Sequence, residues 1–204
     1  MKSYFAIMGC LLILSGPAVV QRGGGADRPP PQLPDVDKET MNLDLPDKWY
    51  PYSRRTDAMV DTYVFPTGQE PSDWDETLRQ EIFLSTAGIS EARQVYQLRS
   101  EDNSESCETY DAEVLQDREE NGYSMFYWKQ VCVMPEQVVA SLNKTILGRE
   151  QLYILSKIWK YEPRDRDWER WETYFQEVYV CDPTRSEHRC RPIRPEGAMG
   201  GRGR

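Results

Sequence analysis

Histidine is almost missing from this chain. His188 is the one imidazole among 204 residues, so sites built from several histidines are excluded and any Ser/His/Asp triad would have to use it. No CxxC pair occurs among the five cysteines, which removes the usual paired-thiolate zinc frames. Basic residues are in deficit, 25 Lys+Arg against 34 Asp+Glu for a net charge of −9. That balance argues against a nucleic-acid partner, because such affinity comes largely from cations on phosphates. At 29% charged residues the chain is also too polar to cross a membrane many times. What is present is 39% hydrophobic and 11% aromatic residues. This is enough for a real core, so disorder of the whole chain is excluded. The length allows one domain, or one and a half.

The first residues read as an export signal rather than as fold. Lys2 precedes an apolar run over 4–14, closed by Ser15, Gly16, Pro17 and Ala18. A charged start, a short apolar stretch and small residues predict a signal peptide over 1–18, cleaved near Ala18. The run is shorter than the roughly 20 apolar residues a spanning helix needs, so the mature chain is expected to hold no integral span. The expected location is the periplasm. Cys10, after Ile7-Met8-Gly9, offers a lipid anchor as the alternative.

Export sets how the remaining cysteines read. Cys107, Cys132, Cys181 and Cys190 are an even set in an oxidising compartment, which predicts disulfides. Cys181 and Cys190 flank a polar loop rich in turn formers and Cys107 and Cys132 flank a hairpin, so those pairings are expected. Zinc held by Cys181, His188 and Cys190 is the competing reading. The stretch 19–46 contains Gly23-Gly24-Gly25 and Pro29-Pro30-Pro31 with few large apolar residues, and predicts a disordered tether. The Arg/Gly-rich 193–204 predicts a disordered tail. One domain over 47–192 remains.

Inside it, strand-like alternation runs over 57–65. Residues 74–83 fit either a helix face or a strand. A helix is predicted over 85–99 and a polar loop over 101–108. Asn121-Gly122 marks a hairpin between 109–115 and 123–134, and a second hairpin turns at Leu147-Gly148-Arg149-Glu150. A last helix starts near Pro163 and carries Trp168, Trp171, Phe175 and Val178 at helical spacing. The order predicts an α+β domain: an antiparallel sheet of about five or six strands covered by helices.

These motifs resemble a known group. Trp74-Asp75-Glu76, then Gly148-Arg149-Glu150-Gln151-Leu152-Tyr153, then Val180-Cys181-Asp182 with His188-Arg189-Cys190 are similar to a pattern in uncharacterised exported proteobacterial proteins. That pattern runs W-x-E, G-R-D-x-L-Y-x-x-x-K-x-W, V-C-D and H-x-C-P. Glu150 stands here for its Asp, and Arg191 separates Cys190 from Pro192. The group resembles PsbP/Mog1-type α/β/α sandwiches, whose members are mostly binding or assembly accessories. The resemblance implies that 74–83 is a strand, and it supplies no catalytic residues.

The remaining chemistry is thin. Asp165, Asp167 and Glu169 suit the first turn of a helix, where carboxylates complement the dipole, better than a calcium loop. His188 lacks a positioned nucleophile. Residues 61–120 hold 16 Asp+Glu against 4 Lys+Arg, a solvated face or a surface for a basic partner. Aromatic residues crowd the second half, and alternation through 123–128 sends rings to both sheet faces. Tyr127 and Trp128 beside Lys129 and Arg149 therefore define the expected ligand- or partner-binding groove. The functional expectation is a non-catalytic periplasmic binding or envelope-assembly module, monomeric and without a cofactor. Its partner would be an envelope protein or a small apolar ligand. A hydrolase using paired carboxylates is the alternative.

Overall fold

A computed structural model describes residues 39–190, apart from 87 and 189. The chain divides into two units, Met1–Pro34 and Asp35–Arg204, and every described residue belongs to the second. The signal segment over 1–18 with Cys10, the start of the 19–46 tether and the tail over 193–204 lie outside the described residues.

The elements in chain order are β1 (Thr40–Asn42), β2 (Trp49–Arg55), β3 (Met59–Pro66), β4 (Glu76–Phe83), α1 (Arg93–Ser106) and β5 (Thr109–Glu120). Then follow β6 (Tyr123–Val133), β7 (Val138–Leu147), β8 (Leu152–Trp159), α2 (Asp165–Gln176) and β9 (Tyr179–Cys181). Seven strands make one antiparallel sheet in the order β2-β3-β4-β8-β7-β6-β5, and β1 pairs with β9 separately. The class is α+β as the pattern predicts, with seven strands rather than five or six. The segment over 74–83 is indeed a strand from Glu76 onward.

The centre of the sheet explains itself. Strands β7 and β8 are flanked on both sides, and nearly all their residues are buried, so both faces must be covered or filled. One face packs on α2: Leu78, Leu142, Leu155, Trp159, Trp171 and Phe175 belong to one cluster. The other packs on α1 through Ala92, Val95, Phe126, Trp128, Leu152 and Ile154. Asn121 and Gly122 adopt φ 51 and 71, the left-handed pair that a two-residue hairpin turn needs.

Three expectations are corrected. Strand β2 was not foreseen because residues 50–55 are all exposed and include Pro51, so no buried face imposes alternation on this edge strand. The first helix begins at Arg93 rather than at 85 and continues to Ser106 through the expected loop over 101–108. Gly88 at φ 80 keeps the chain irregular before it. Ser104 and Ser106 donate to carbonyls of the final turns, and Cys107, bonded to Cys132, fixes the helix end to β6.

Finally, the fold begins inside the expected tether. Thr40, Met41 and Asn42 pair with Cys181, Val180 and Tyr179. Glu39, only 5% exposed, accepts the backbone N–H groups of Arg149, Glu150 and Gln151 at 2.9–3.1 Å. A Cβ at position 148 would collide with that carboxylate, which is why glycine stands there. Composition could not reveal this, because 39–42 is held by backbone pairing and one buried charge, with Met41 as its one apolar contact to the core.

Candidate functional site

The four residues expected to line one groove are not brought together. Tyr127 lies on the α2 side, buried with its ring 5.9 Å from Phe175. Trp128 points to the α1 side, 0% exposed, with Tyr96 at 5.5 Å and its Nε1 donating to Gln130 Oε1. Lys129 pairs with Glu113 at 2.9 Å, and that hydrogen bond raises its pKa. Arg149 follows the far end of the β6–β7 ladder and sits 3.5 Å from Asp182 Oδ2. Alternation separates Tyr127 from Trp128, and each helix covers one of them. The second cysteine pair is Cys181–Cys190, Cα atoms 5.4 Å apart, while His188 Nδ1 accepts the Asp182 N–H at 3.0 Å. Both sulfurs that a zinc site would use are thereby taken. Among the described residues no group of three His, Cys, Asp or Glu is placed to hold a metal. Asp167 meets the Arg164 N–H at the start of α2, the helix-terminal role expected of it.

An open site lies elsewhere on the α1 side. Helix α1 packs mainly on β5 and β6 and reaches Leu152 and Ile154 of β8, and no other helix among the described residues packs on that face. The strand registers line up one row across it: Tyr52 opposite Tyr63, Tyr63 opposite Arg79, Arg79 opposite Ser156, Ser156 opposite Asn143, Asn143 opposite Trp128. Neighbouring strands are about 4.8 Å apart, so the row from Tyr52 to Asn143 runs roughly 19 Å across the strands. Arg99, Asp102 and Asn103 of α1 form the wall of a trench of about 330 Å³ whose floor includes Ser141, Asn143 and Ser156. Toward the β2 edge the row enters a second hollow of about 250 Å³, whose lining includes Tyr52, Arg54, Asp61, Tyr63, Phe65 and Trp74.

The electrostatics of the trench are closed on themselves. Arg79 donates to both oxygens of Asp61 at 2.9 and 3.0 Å and lies 3.3 Å from Glu81. Arg99 reaches the other oxygen of Glu81 at 2.6 Å. Burial works to lower the pKa of Arg79, but the Asp61 hydrogen bond and the Glu81 charge outweigh it and raise it. Burial raises the pKa of Tyr63, beneath the Arg79 guanidinium at 5.0 Å, and its phenol stays neutral. Asn143 donates to Ser141 Oγ at 2.9 Å. Ser156, 2% exposed, keeps a buried Oγ with no hydrogen-bond partner. Such a hydroxyl costs stability unless something satisfies it.

The α2 side holds two buried lysines that no motif of chemistry announced, although Lys157 and Trp159 sit in the K-x-W of the resemblance. Lys157 is enclosed by Trp49, Trp159 and Trp171 at 4.7–5.0 Å and paired with Glu76 at 2.7 Å. Burial lowers its pKa to about 8 against the pull of Glu76. Lys144 donates to the carbonyls of Phe175 and Val178 and pairs with Glu120. It supplies from β7 the cation that the last turn of α2 lacks, and burial lowers its pKa too.

No family model matches the sequence, and no curated protein matches it. Among solved structures, the chain is similar to cyanobacterial PsbP from Synechocystis sp. PCC 6803, at 16% identity and TM-score 0.48 over 79% of this chain and 99% of that one. It is similar to LpqN of Mycobacterium tuberculosis, described as involved in cell envelope biogenesis, at 12% identity and TM-score 0.46 over 72% and 86%. It is also similar to a Mog1 variant, at 13% identity and TM-score 0.46 over 72% and 97%. At these scores the fold class rests on the strand order and the two helices described above.

Proposed function

We propose that this chain is a non-catalytic binding module of the periplasm, and that it engages its partner through the open part of the α1-side sheet face. The observation that carries the reading is the trench with the unpartnered Ser156 Oγ at its floor. Three points support it. The two disulfides suit an oxidising compartment. Asp61 and Glu81 beside the trench are each held by arginine, an arrangement for fixing shape rather than for moving protons, which leaves Asp102 on the wall as a single carboxylate rather than one of a pair. Serine and asparagine on the floor make it polar, which disfavours the small apolar ligand the composition pointed to.

The test is native mass spectrometry of the chain purified from a bacterial envelope, followed by amide exchange with and without the species it carries. Protection over 76–83, 93–106 and 152–159 is the expected result. A bound species that protects only 165–176 on α2 would overturn the reading.

A further inference from the structure

The trench and the hollow at the β2 edge share the Arg79–Asp61 pair, since Arg79 lines one and Asp61 the other. They form one continuous stripe with a polar floor and an aromatic end. We propose that this stripe takes a neutral, hydroxyl-rich ligand, an oligosaccharide lying across the strands. The proposal rests on the open-face reading above and names its ligand class.

The charge pattern selects neutrality. Both guanidiniums at the trench are already matched by carboxylates. Beyond them the lining of the stripe holds one cation, Arg54 over the Tyr52 ring in the hollow, and one anion, Asp102 on the trench wall, so it offers no cluster of cations for a phosphate or carboxylate ligand. The groups that do remain are of mixed sense. Asn143 and Asn103 each offer donors and an acceptor, and Ser156 offers a hydroxyl able to do either. Ligand hydroxyls require that mixture, because each oxygen both donates and accepts. The aromatic end supplies the other half of the chemistry. Tyr52 is 44% exposed and Trp74 is half-buried beside it in the hollow, and such rings offer flat faces to the C–H side of a sugar ring.

A peptide main chain fits less well. The stripe crosses β4, β8 and β7, whose backbone groups are engaged in ladders on both sides. An added strand would need a free edge, which along the stripe only β2 has, so recognition over β3, β4, β8 and β7 must come from side chains spaced across strands. That spacing runs perpendicular to the strands, from Tyr52 to Asn143.

The experiment is an amide-resolved titration of the folded chain with maltohexaose, with chitohexaose and, separately, with a neutral hexapeptide of glycine and alanine. The expected result is that at least one sugar, at millimolar concentration, moves amides of β4, β8 and the second half of α1. Tyr52→Ala should then weaken that sugar about three- to tenfold, while Tyr52→Phe keeps it. Ser156→Ala should weaken it as well without lowering the melting temperature, a split that a purely structural hydroxyl does not produce. No movement with either sugar overturns the proposal. Movement of the same amides by the peptide alone overturns the sugar class and leaves the open-face reading standing. Sugar shifts confined to α2 overturn both.

Discussion

The two faces of one sheet are built on opposite plans. On the α2 side, β8 presents Tyr153, Leu155, Lys157 and Trp159, and all are buried beneath Trp171, Phe175 and Trp49. Its single charge is enclosed by three indoles and matched by Glu76. On the α1 side the same strand presents Leu152 and Ile154 under the helix, then Ser156 where the helix has moved away. Where a face is sealed, even a lysine is made to fit. Where it is not, the floor turns polar, and the unpartnered Ser156 hydroxyl lines a trench whereas the unpartnered Tyr127 hydroxyl on the sealed side lies within the core cluster. The difference teaches that shortness of cover, rather than sequence polarity by itself, marks the side proposed to bind.

The comparison can be broken in order of effect. Phe175→Ala empties the sealed side and is expected to cost about 3–5 kcal/mol in chemical denaturation. A loss under about 1 kcal/mol would show that α2 does not carry that face. Glu39→Ala leaves three backbone N–H groups of the β7–β8 turn without their acceptor. The expected cost is about 2–4 kcal/mol, and an unchanged midpoint would mean that the fold does not need residues before β2.

Lys157 sharpens the contrast through pH. Its pKa falls from 10.5 to about 8 on folding, so above about pH 8 the folded chain holds fewer protons than the unfolded one. Stability contributed by this group therefore rises between about pH 8 and 10.5 and is absent below, amounting at most to about 3 kcal/mol. Lys157→Met should lack that rise and be at least as stable as wild type at neutral pH, because Glu76 is partly exposed and can be hydrated. A loss of about 2 kcal/mol or more at neutral pH would instead show that the indole faces outweigh the cost of burial. At the small end stands Tyr52→Ala. With Tyr52 exposed on an edge strand, its stability should stay within about 0.5 kcal/mol of wild type.

Much of the fold was legible because it rests on local rules. Asn121-Gly122 sets the β5–β6 hairpin, Leu147-Gly148-Arg149-Glu150 marks the β7–β8 turn, and Trp168, Trp171 and Phe175 mark the inner face of α2. What escaped was held by non-local terms. Strand β2 has no buried face, and β1 depends on Glu39 reaching a turn more than a hundred residues away. The site escaped for the same reason. Tyr127 and Trp128 looked like one groove because adjacency in sequence is visible, whereas the row through Tyr63, Arg79, Ser156 and Asn143 exists only once three strand pairings are known.

The most direct test places a photo-crosslinking residue at Tyr52, at the open end of the stripe, and in a second chain at Arg170, exposed on α2. Both chains are expressed with export and irradiated in living cells. The account predicts a discrete adduct from position 52, lost when the trench is filled by Ser156→Leu, and none from position 170. An adduct from position 170 alone would contradict it.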